Sequence, residues 1–205
     1  MKFLIGALLS LLITGTSFAD DDTKCVENLM KARLDAVASV VQKNDISRQE
    51  RDSRVLEIIE PVFDFSKMAK LTLGRKHWPG LSKEKKEEFS NIFIKRLKAS
   101  YLDKLNLYTD EKIVYKTPVK IKKKVHFSIE LISKDNLITM LYKFYKSKSG
   151  WKVYDVEVQG VSIILTYRSQ FDQVMSDGNI DDLILKLKEM KIENTTALNS
   201  TKNNE

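Results

Sequence analysis

Apolar and polar residues follow two different periods along the chain, and the change falls near residue 110. Before it, apolar residues recur every three or four positions, which predicts amphipathic helices. The clearest series is Phe89, Phe93, Leu97, Tyr101 and Leu105. After it, apolar residues alternate with polar ones, which predicts strands. This order indicates an α+β protein, with helices in the first half and a sheet in the second.

Recognisable boundary residues divide the first half into three or four helices. Ser47 and Glu50 form a capping box that opens one helix, and Asp64 is the predicted N-cap of the next. Gly74 is predicted to end that short helix. A long helix is predicted from about Ser82 onward.

Four segments of the second half alternate between apolar and polar residues, and short links join them. Short links favour antiparallel neighbours, so we expect an antiparallel sheet of about four strands. Residues 147–150 read as a hairpin turn before the last strand. The residues predicted to share one apolar face of the sheet are Ile113, Tyr115, Val125, Phe127, Ile129, Leu131, Ile138, Met140, Tyr142, Phe144, Tyr154, Val156 and Val158.

The last strand runs into a helix in the stretch YDVEVQGVSIILTYRSQF, residues 154–171. Alternation stops at Gly160 and a helical spacing follows at once. The helix has little polar surface, so it is predicted to be largely buried. Asn179 is predicted to cap a final helix. Residues 191–205 are polar and repetitive, which predicts a disordered tail.

Residues 1–19 have the composition of a secretory signal peptide. Lys2 precedes an apolar run, and a Ser-Phe-Ala sequence supplies small residues for cleavage after Ala19. The alternative is a membrane anchor, but the apolar run over residues 3–13 is shorter than the ~20 residues that a spanning helix needs. We therefore expect an exported protein in which residues 20–190 form a single domain.

The chain is rich in lysine and has a formal charge of +7. In an exported protein, such a charge favours anionic lipid headgroups or an acidic partner surface over nucleic acid. A solvated lysine-rich surface that only keeps the protein soluble explains the composition equally well. The two clusters of interest are Lys120, Lys122, Lys123 and Lys124, and Arg75 with Lys76.

Residues suited to catalysis or metal binding are few. His77 and His126 lack neighbours at metal-ligand spacing, and the chain contains no CxxC, HExxH or glycine-rich phosphate loop. Alternation places Asp155 on a solvated strand face, away from the apolar side chains, where it is not suited to acid–base catalysis. Cys25 is the only cysteine, so no disulfide within the chain is expected. No enzyme activity, metal or cofactor is predicted.

The apolar face of the sheet can serve in two ways. Helices can close over it tightly and form an ordinary core, or they can leave a cavity lined by the same side chains. Residues such as Phe127, Met140, Tyr142 and Phe144 fit both arrangements, so the pattern leaves the choice open.

Two segments carry the motifs of one known family. In residues 64–105 these motifs are Asp64-Phe65, Leu73-Gly74-Arg75, His77-Trp78, Ser82-Lys83-Glu84 and Phe89. In residues 150–171 they are WKVYD from Trp151, GVS from Gly160 and YRSQF from Tyr167. Together they resemble the MlaC-like periplasmic phospholipid-binding proteins, also named for toluene tolerance. The resemblance covers nearly the whole chain after residue 19, and the Pro79-Gly80 pair departs from it.

The resemblance implies a curved antiparallel sheet wrapped by helices around a deep apolar lipid pocket. It also implies a periplasmic carrier of phospholipid, with transient membrane proximity and without metal, cofactor or nucleic acid. The carrier would shuttle phospholipid between an outer-membrane lipoprotein complex and an inner-membrane ABC transporter complex, and so maintain outer-membrane lipid asymmetry. Two alternatives remain, a binder of another lipid such as a hopanoid and a pocket enzyme on a similar scaffold.

Alternation, helical spacing and the resemblance together predict the lining of this pocket. The predicted lining residues are Leu73, Phe93, Leu97, Tyr101, Phe127, Ile129, Ile138, Met140, Tyr142, Phe144, Val156, Val158, Val161 and Leu165.

Overall fold

The computed structural model describes residues 18–43, 45–105, 112–133 and 137–189. Most of the predicted signal peptide and all of the predicted tail lie outside these residues. The described helices are α1 (Phe18–Val41), α2 (Arg48–Ile59), α3 (Phe65–His77), α4 (Lys83–Leu105), α5 (Ile163–Asp177) and α6 (Ile180–Glu189), with a 3₁₀ turn at Trp78–Gly80 after α3.

The strands of the described residues form one antiparallel sheet. They are β1 (Lys112–Tyr115), β2 (Val119–Ile121), β3 (Lys124–Ile132), β4 (Leu137–Ser147), β5 (Gly150–Val158) and β6 (Val161–Ser162). Their order is β1-β3-β4-β5-β6, and β2 pairs with β3 along the same edge as β1. The predicted α+β class is confirmed, and two strands are added to the four expected. Both additions, β2 and β6, are too short to show an alternating pattern.

The predicted helix starts are confirmed by hydrogen bonds of the capping side chains. The Ser47 hydroxyl accepts from the Glu50 backbone N–H at 3.2 Å, and the Asp64 carboxylate accepts from the Lys67 N–H at 2.9 Å. Asn179 likewise accepts from the Asp181 N–H at 2.7 Å. Each cap gives an otherwise unpaired N–H of the first helical turn a partner.

Gly74 kinks α3 rather than ending it. Its φ of +63° and ψ of −165° are not helical, yet the helix resumes and continues to His77. The Arg168 side chain packs against this kink, with its Nε 3.3 Å from the position that a Cβ on Gly74 would occupy. Arg168 Nε also donates to the Leu71 carbonyl at 2.8 Å. Glycine therefore provides both a positive φ and room for the arginine at this kink.

Pairing between β3 and β4 confirms the predicted apolar face, because Val125, Phe127 and Ile129 lie opposite apolar residues of β4. In β5 the predicted alternation was wrong at one residue, Tyr154. The register shifts near Phe144, so that Val156 pairs with Tyr142 but Val153 pairs with Phe144. This β-bulge removes Tyr154 from the apolar face. The buried residues Trp151 and Val153 take its place.

A two-residue turn separates β5 from β6. Gln159 and Gly160 have φ values of +50° and +78°, as a two-residue hairpin turn of the primed type requires. The sequence suggested that the strand passes directly into α5. In the structure, this turn and β6 lie between β5 and α5. The prediction that α5 is largely buried was also wrong, because most of its residues are half-buried or exposed and Ile164 and Phe171 form its buried positions.

Buried residues form two large cores and a smaller one. In the sheet core, Val26, Met30 and Leu34 of α1 pack on the apolar face of the sheet, which we call the inner face. The helical core joins α3, α4, α5 and α6 without any strand residue. The third core joins α1 and α2 through Val37, Val55 and Ile59, with residues of α4 packed against it.

Candidate functional site

The inner face of the sheet has two ends that differ in how fully they are covered. At the end near the β4–β5 turn, Val125, Phe144 and Val153 are completely buried beneath α1. Toward the end of the sheet where β3 ends and β4 begins, Ile138 and Met140 of β4 keep part of their surface accessible. The sheet therefore changes from a closed core to a partly open apolar surface along its length.

A second apolar wall comes from the helices. Tyr101, Leu102 and Leu105 at the end of α4 are half-buried and pack against the third core. Phe63 connects this wall to the sheet, because its ring centroid lies 6.5 Å from that of Tyr101 and 6.5 Å from that of Tyr142. The half-buried residues of both walls define what we call the apolar recess.

The phenol groups around the recess are strongly desolvated. Burial raises the pKa of Tyr101 and, together with the nearby Tyr101 and Tyr115 phenols, that of Tyr142. Burial and a 2.6 Å hydrogen bond to Asp35 raise the pKa of Tyr115. Tyr101 itself is half-buried. All three phenols are neutral at physiological pH.

Five of the predicted pocket residues lie on the closed part of the inner face. Each is less than 5% exposed, so these side chains are core residues in this structure. They are Phe127, Ile129, Tyr142, Phe144 and Val156. Four others, Tyr101, Ile138, Met140 and Val158, are half-buried at the recess.

The structure places five predicted pocket residues elsewhere. Leu73, Phe93 and Leu97 are buried in the helical core, where α5 and α6 complete their packing. Val161 and Leu165 are 40% and 56% exposed, respectively. Leu165 misses the interior because successive residues of a helix point about 100° apart, and in α5 the buried direction is taken by Ile164.

Sequence reasoning missed several residues of the recess. Ile113 and Leu131 are half-buried on the inner face and pack against the sheet core. Leu102 and Leu105 of α4 are half-buried and border the third core. Their apolar periodicity was visible in the sequence, but periodicity does not show which helix covers which part of a sheet.

Asp155 lies on the outer face of β5, opposite to the recess, but the prediction that this position is solvated was wrong. It is 5% exposed because β6 and the start of α5 cover it. Its carboxylate lies 2.8 Å from the Ser162 hydroxyl and accepts from the Ile164 N–H at 3.3 Å. Lys143 donates to it at 3.1 Å. Asp155 therefore fixes the first turn of α5 to the sheet.

The described residues contain no group of histidine, cysteine and acidic side chains that could hold a metal ion. No helix among the described residues has both the length and the apolar character needed to cross a bilayer.

These features define a class of protein, a mixed α+β fold in which helices wrap an antiparallel sheet and leave half-buried apolar residues at one end of its inner face. The sequence profile of the family described as MlaC protein matches residues 29–189. The chain therefore belongs to the MlaC family, which confirms the resemblance seen in the sequence.

Two known proteins are similar over most of their length. The "Intermembrane phospholipid transport system binding protein MlaC" of Haemophilus influenzae is 25% identical over 193 residues, which cover 89% of this chain and 88% of that protein. A phospholipid-binding protein of Ralstonia solanacearum, solved in complex with a phospholipid, superposes with a TM-score of 0.72 at 23% identity. The match covers 80% of this chain and 94% of that one, and it confirms the fold.

Proposed function

We propose that this protein is a periplasmic carrier that holds the acyl chains of a phospholipid in the apolar recess. The observation that carries the proposal is the partly open end of the inner face, where Ile138, Met140 and Val158 keep part of their surface accessible. The binding named for the Haemophilus and Ralstonia relatives supports the same ligand class.

The energetics of acyl-chain burial suit a carrier. A chain of about sixteen carbons, at ~0.8 kcal/mol per buried CH₂, gains on the order of 10 kcal/mol on leaving water. Ordering of the chains and loss of overall freedom reduce this gain. What remains still makes spontaneous release slow, so delivery needs a partner that opens the recess or offers a competing apolar site.

The relative's role in an intermembrane transport system extends the proposal to partners. The carrier would exchange phospholipid with an outer-membrane lipoprotein complex and with an inner-membrane ABC transporter complex, and so maintain the lipid asymmetry of the outer membrane. Residues 1–19 would direct its export and be removed after Ala19.

The proposed carrier performs no chemistry on its cargo. The described residues that border the recess are aliphatic and aromatic, and their phenols are held neutral by burial. Asp155 is a buried carboxylate of β5, but it lies on the opposite face of the sheet, where it holds the first turn of α5. An enzyme would need a polar pair enclosed in the recess. The polar pair named above, Tyr115 with Asp35, is joined by an exposed hydrogen bond.

Analysis of co-purified lipid tests this proposal. The protein is purified gently from the periplasm and extracted with organic solvent, and the extract is quantified by mass spectrometry. We expect about one phospholipid per chain, by analogy with a pocket that buries most of one ligand. Trace phospholipid, or a polycyclic lipid in its place, would contradict the proposed cargo.

A further inference from the structure

Two hairpin turns meet at one end of the sheet, opposite the end where β3 stops and β4 begins. One joins β2 to β3, and the other joins β4 to β5. They are neighbours because Lys124 at the start of β3 pairs with Tyr145 near the end of β4. Lysines occupy both turns and their flanks, and we call this group the basic tip. Its members are Lys120, Lys122, Lys123, Lys124, Lys146 and Lys148.

Some of these lysines already have partners within the protein. Asp22 of α1 accepts from Lys120 at 2.7 Å and from Lys146 at 3.1 Å, and these hydrogen bonds lower the pKa of the Asp22 carboxyl. Lys124 lies over the Tyr154 ring, with its Nζ 4.6 Å from the centroid. These contacts hold the two turns and α1 together.

Lys122, Lys123 and Lys148 are exposed, and none of the three forms an ion pair with another described residue. Lys122 is at the apex of its turn, with a φ of +57°. Lys122 and Lys123 border a groove of about 310 Å³, together with Asp22, Trp151 and the paired lysines. The tip therefore presents unneutralised positive charge at its outermost point.

The same hairpin also exposes aliphatic surface. Val119 and Ile121 of β2 are 57% and 45% exposed, and they belong to a strand that pairs on one side only. Their side chains share the outer sheet face with His126 and Lys124, their partners on β3. Branched aliphatic side chains beside unpaired lysines are typical of surfaces that bind at a lipid–water interface.

We propose that the basic tip binds an anionic membrane surface. An anionic membrane is a better partner for this surface than an acidic protein, because all of its basic residues are lysines. Residues 97–167, which include the whole tip, contain no arginine. Protein interfaces are enriched in arginine and depleted in lysine. Lysine acts as a mobile point charge, which suits a diffuse layer of lipid phosphates. Val119 and Ile121 can enter the boundary between headgroups and acyl chains at a small depth.

Binding in this orientation turns the half-buried end of the inner face away from the membrane, since Ile138 and Lys146 lie at opposite ends of β4. The tip would therefore hold the protein at a bilayer while leaving the recess free to meet a partner protein. The proposal rests on surface charge and exposed aliphatic residues, so it can fail or succeed independently of the proposed phospholipid cargo.

Vesicle binding by the full chain without residues 1–19 tests the proposal. The probes are vesicles of phosphatidylcholine alone and vesicles that also contain phosphatidylglycerol, each at low and high ionic strength. We expect binding to the anionic vesicles only, with loss at high salt. The variant Lys122→Glu/Lys123→Glu should bind at least about tenfold more weakly, since each lysine near an anionic surface contributes on the order of 1 kcal/mol.

Lys83→Glu/Lys186→Glu is the matched control, because it changes the net charge equally at two other exposed lysines that form no ion pair with another described residue. It should bind nearly as well as the unmodified chain. Val119→Thr/Ile121→Thr should weaken binding several-fold without any change in charge. Bound phospholipid and circular dichroism, measured on every variant, should be unchanged.

Equal binding to neutral and anionic vesicles would overturn the proposal, and so would equal losses in the tip variant and the control. An acidic polypeptide such as polyglutamate serves as a second probe. If the tip lysines govern binding to polyglutamate but not to anionic vesicles, the partner is an acidic protein and the membrane proposal is wrong.

Discussion

The helical core and the inner face of the sheet are built from the same kinds of residues and reach different degrees of closure. In the helical core, the Phe93 ring lies 5.8 Å from Phe89 and 5.9 Å from Phe171, and all three side chains are buried. On the sheet, Met140 remains half-buried although Tyr142, two residues later, is only 3% exposed.

The difference comes from what covers each surface. The helical core receives Leu183, Ile184 and Leu187 of α6 as a last layer over α4 and α5. On the sheet, α1 covers the end that contains Val125 and Phe144. The covering element therefore determines how completely an apolar surface is buried, and two apolar surfaces can become a closed core and a partly open recess.

The largest effect is expected from Phe93→Ala. This change removes a ring from a filled aromatic cluster and leaves a cavity, which costs about 3–5 kcal/mol of unfolding free energy. Chemical denaturation measures the loss. Ile138→Ala at the recess is the matched comparison, and because the site is already half-open it should cost about 1 kcal/mol. Equal losses at the two sites would mean that the recess is as tightly packed as the helical core.

A smaller loss is expected from Asp155→Ala, at the junction between the two regions. The change leaves the Ser162 hydroxyl and the Ile164 N–H without their acceptor, at a cost of about 2–3 kcal/mol. Asp155→Asn keeps one acceptor oxygen and should lose about 1 kcal/mol. Denaturation curves compare the two variants. If alanine and asparagine are equally harmless, Asp155 does not hold α5 to the sheet.

The smallest effect on stability is expected from Asp172→Asn, which removes an exposed ion pair beside the helical core. Asp172 lies 2.6 Å from His77 Nε2 and 2.9 Å from Lys76 Nζ, and these hydrogen bonds lower the pKa of its carboxyl. Stability from this group is therefore complete above the unfolded value of ~3.9 and is lost as the pH falls through the lower folded pKa. The difference in stability between the unmodified chain and Asp172→Asn should therefore shrink as the pH falls below about pH 4. If this difference in stability instead grows as the pH falls, folding raises the pKa of Asp172 rather than lowering it, and the assignment is wrong.

Local patterns predicted the parts of the fold that local physics determines. The caps at Ser47 and Asp64 and the apolar face of β3 and β4 follow from short-range hydrogen bonding and alternation, and all are confirmed. The bulge near Tyr154 is different, because an extra residue in one strand is defined only by its partner strand.

The candidate site was harder to predict for a related reason. Phe93 and Tyr101 lie eight residues apart on the same face of α4, yet one joins the helical core and the other borders the recess. Their spacing contains no information about which elements cover them. Leu165 shows the same limit at finer scale, since a shift of one residue in the phase of α5 exchanges the buried and exposed positions.

The most direct measurement compares phospholipid bound to Met140→Glu and to Leu141→Glu. The two residues are neighbours on β4, but Met140 faces the recess and Leu141 lies on the outer face. A carboxylate among acyl chains costs several kcal/mol of desolvation, whereas one on the outer face stays solvated. We predict that the Met140 variant purifies with only trace phospholipid and the Leu141 variant with as much as the unmodified chain, at similar melting temperatures. Equal lipid content in the two variants would contradict the assignment of the recess as the phospholipid site.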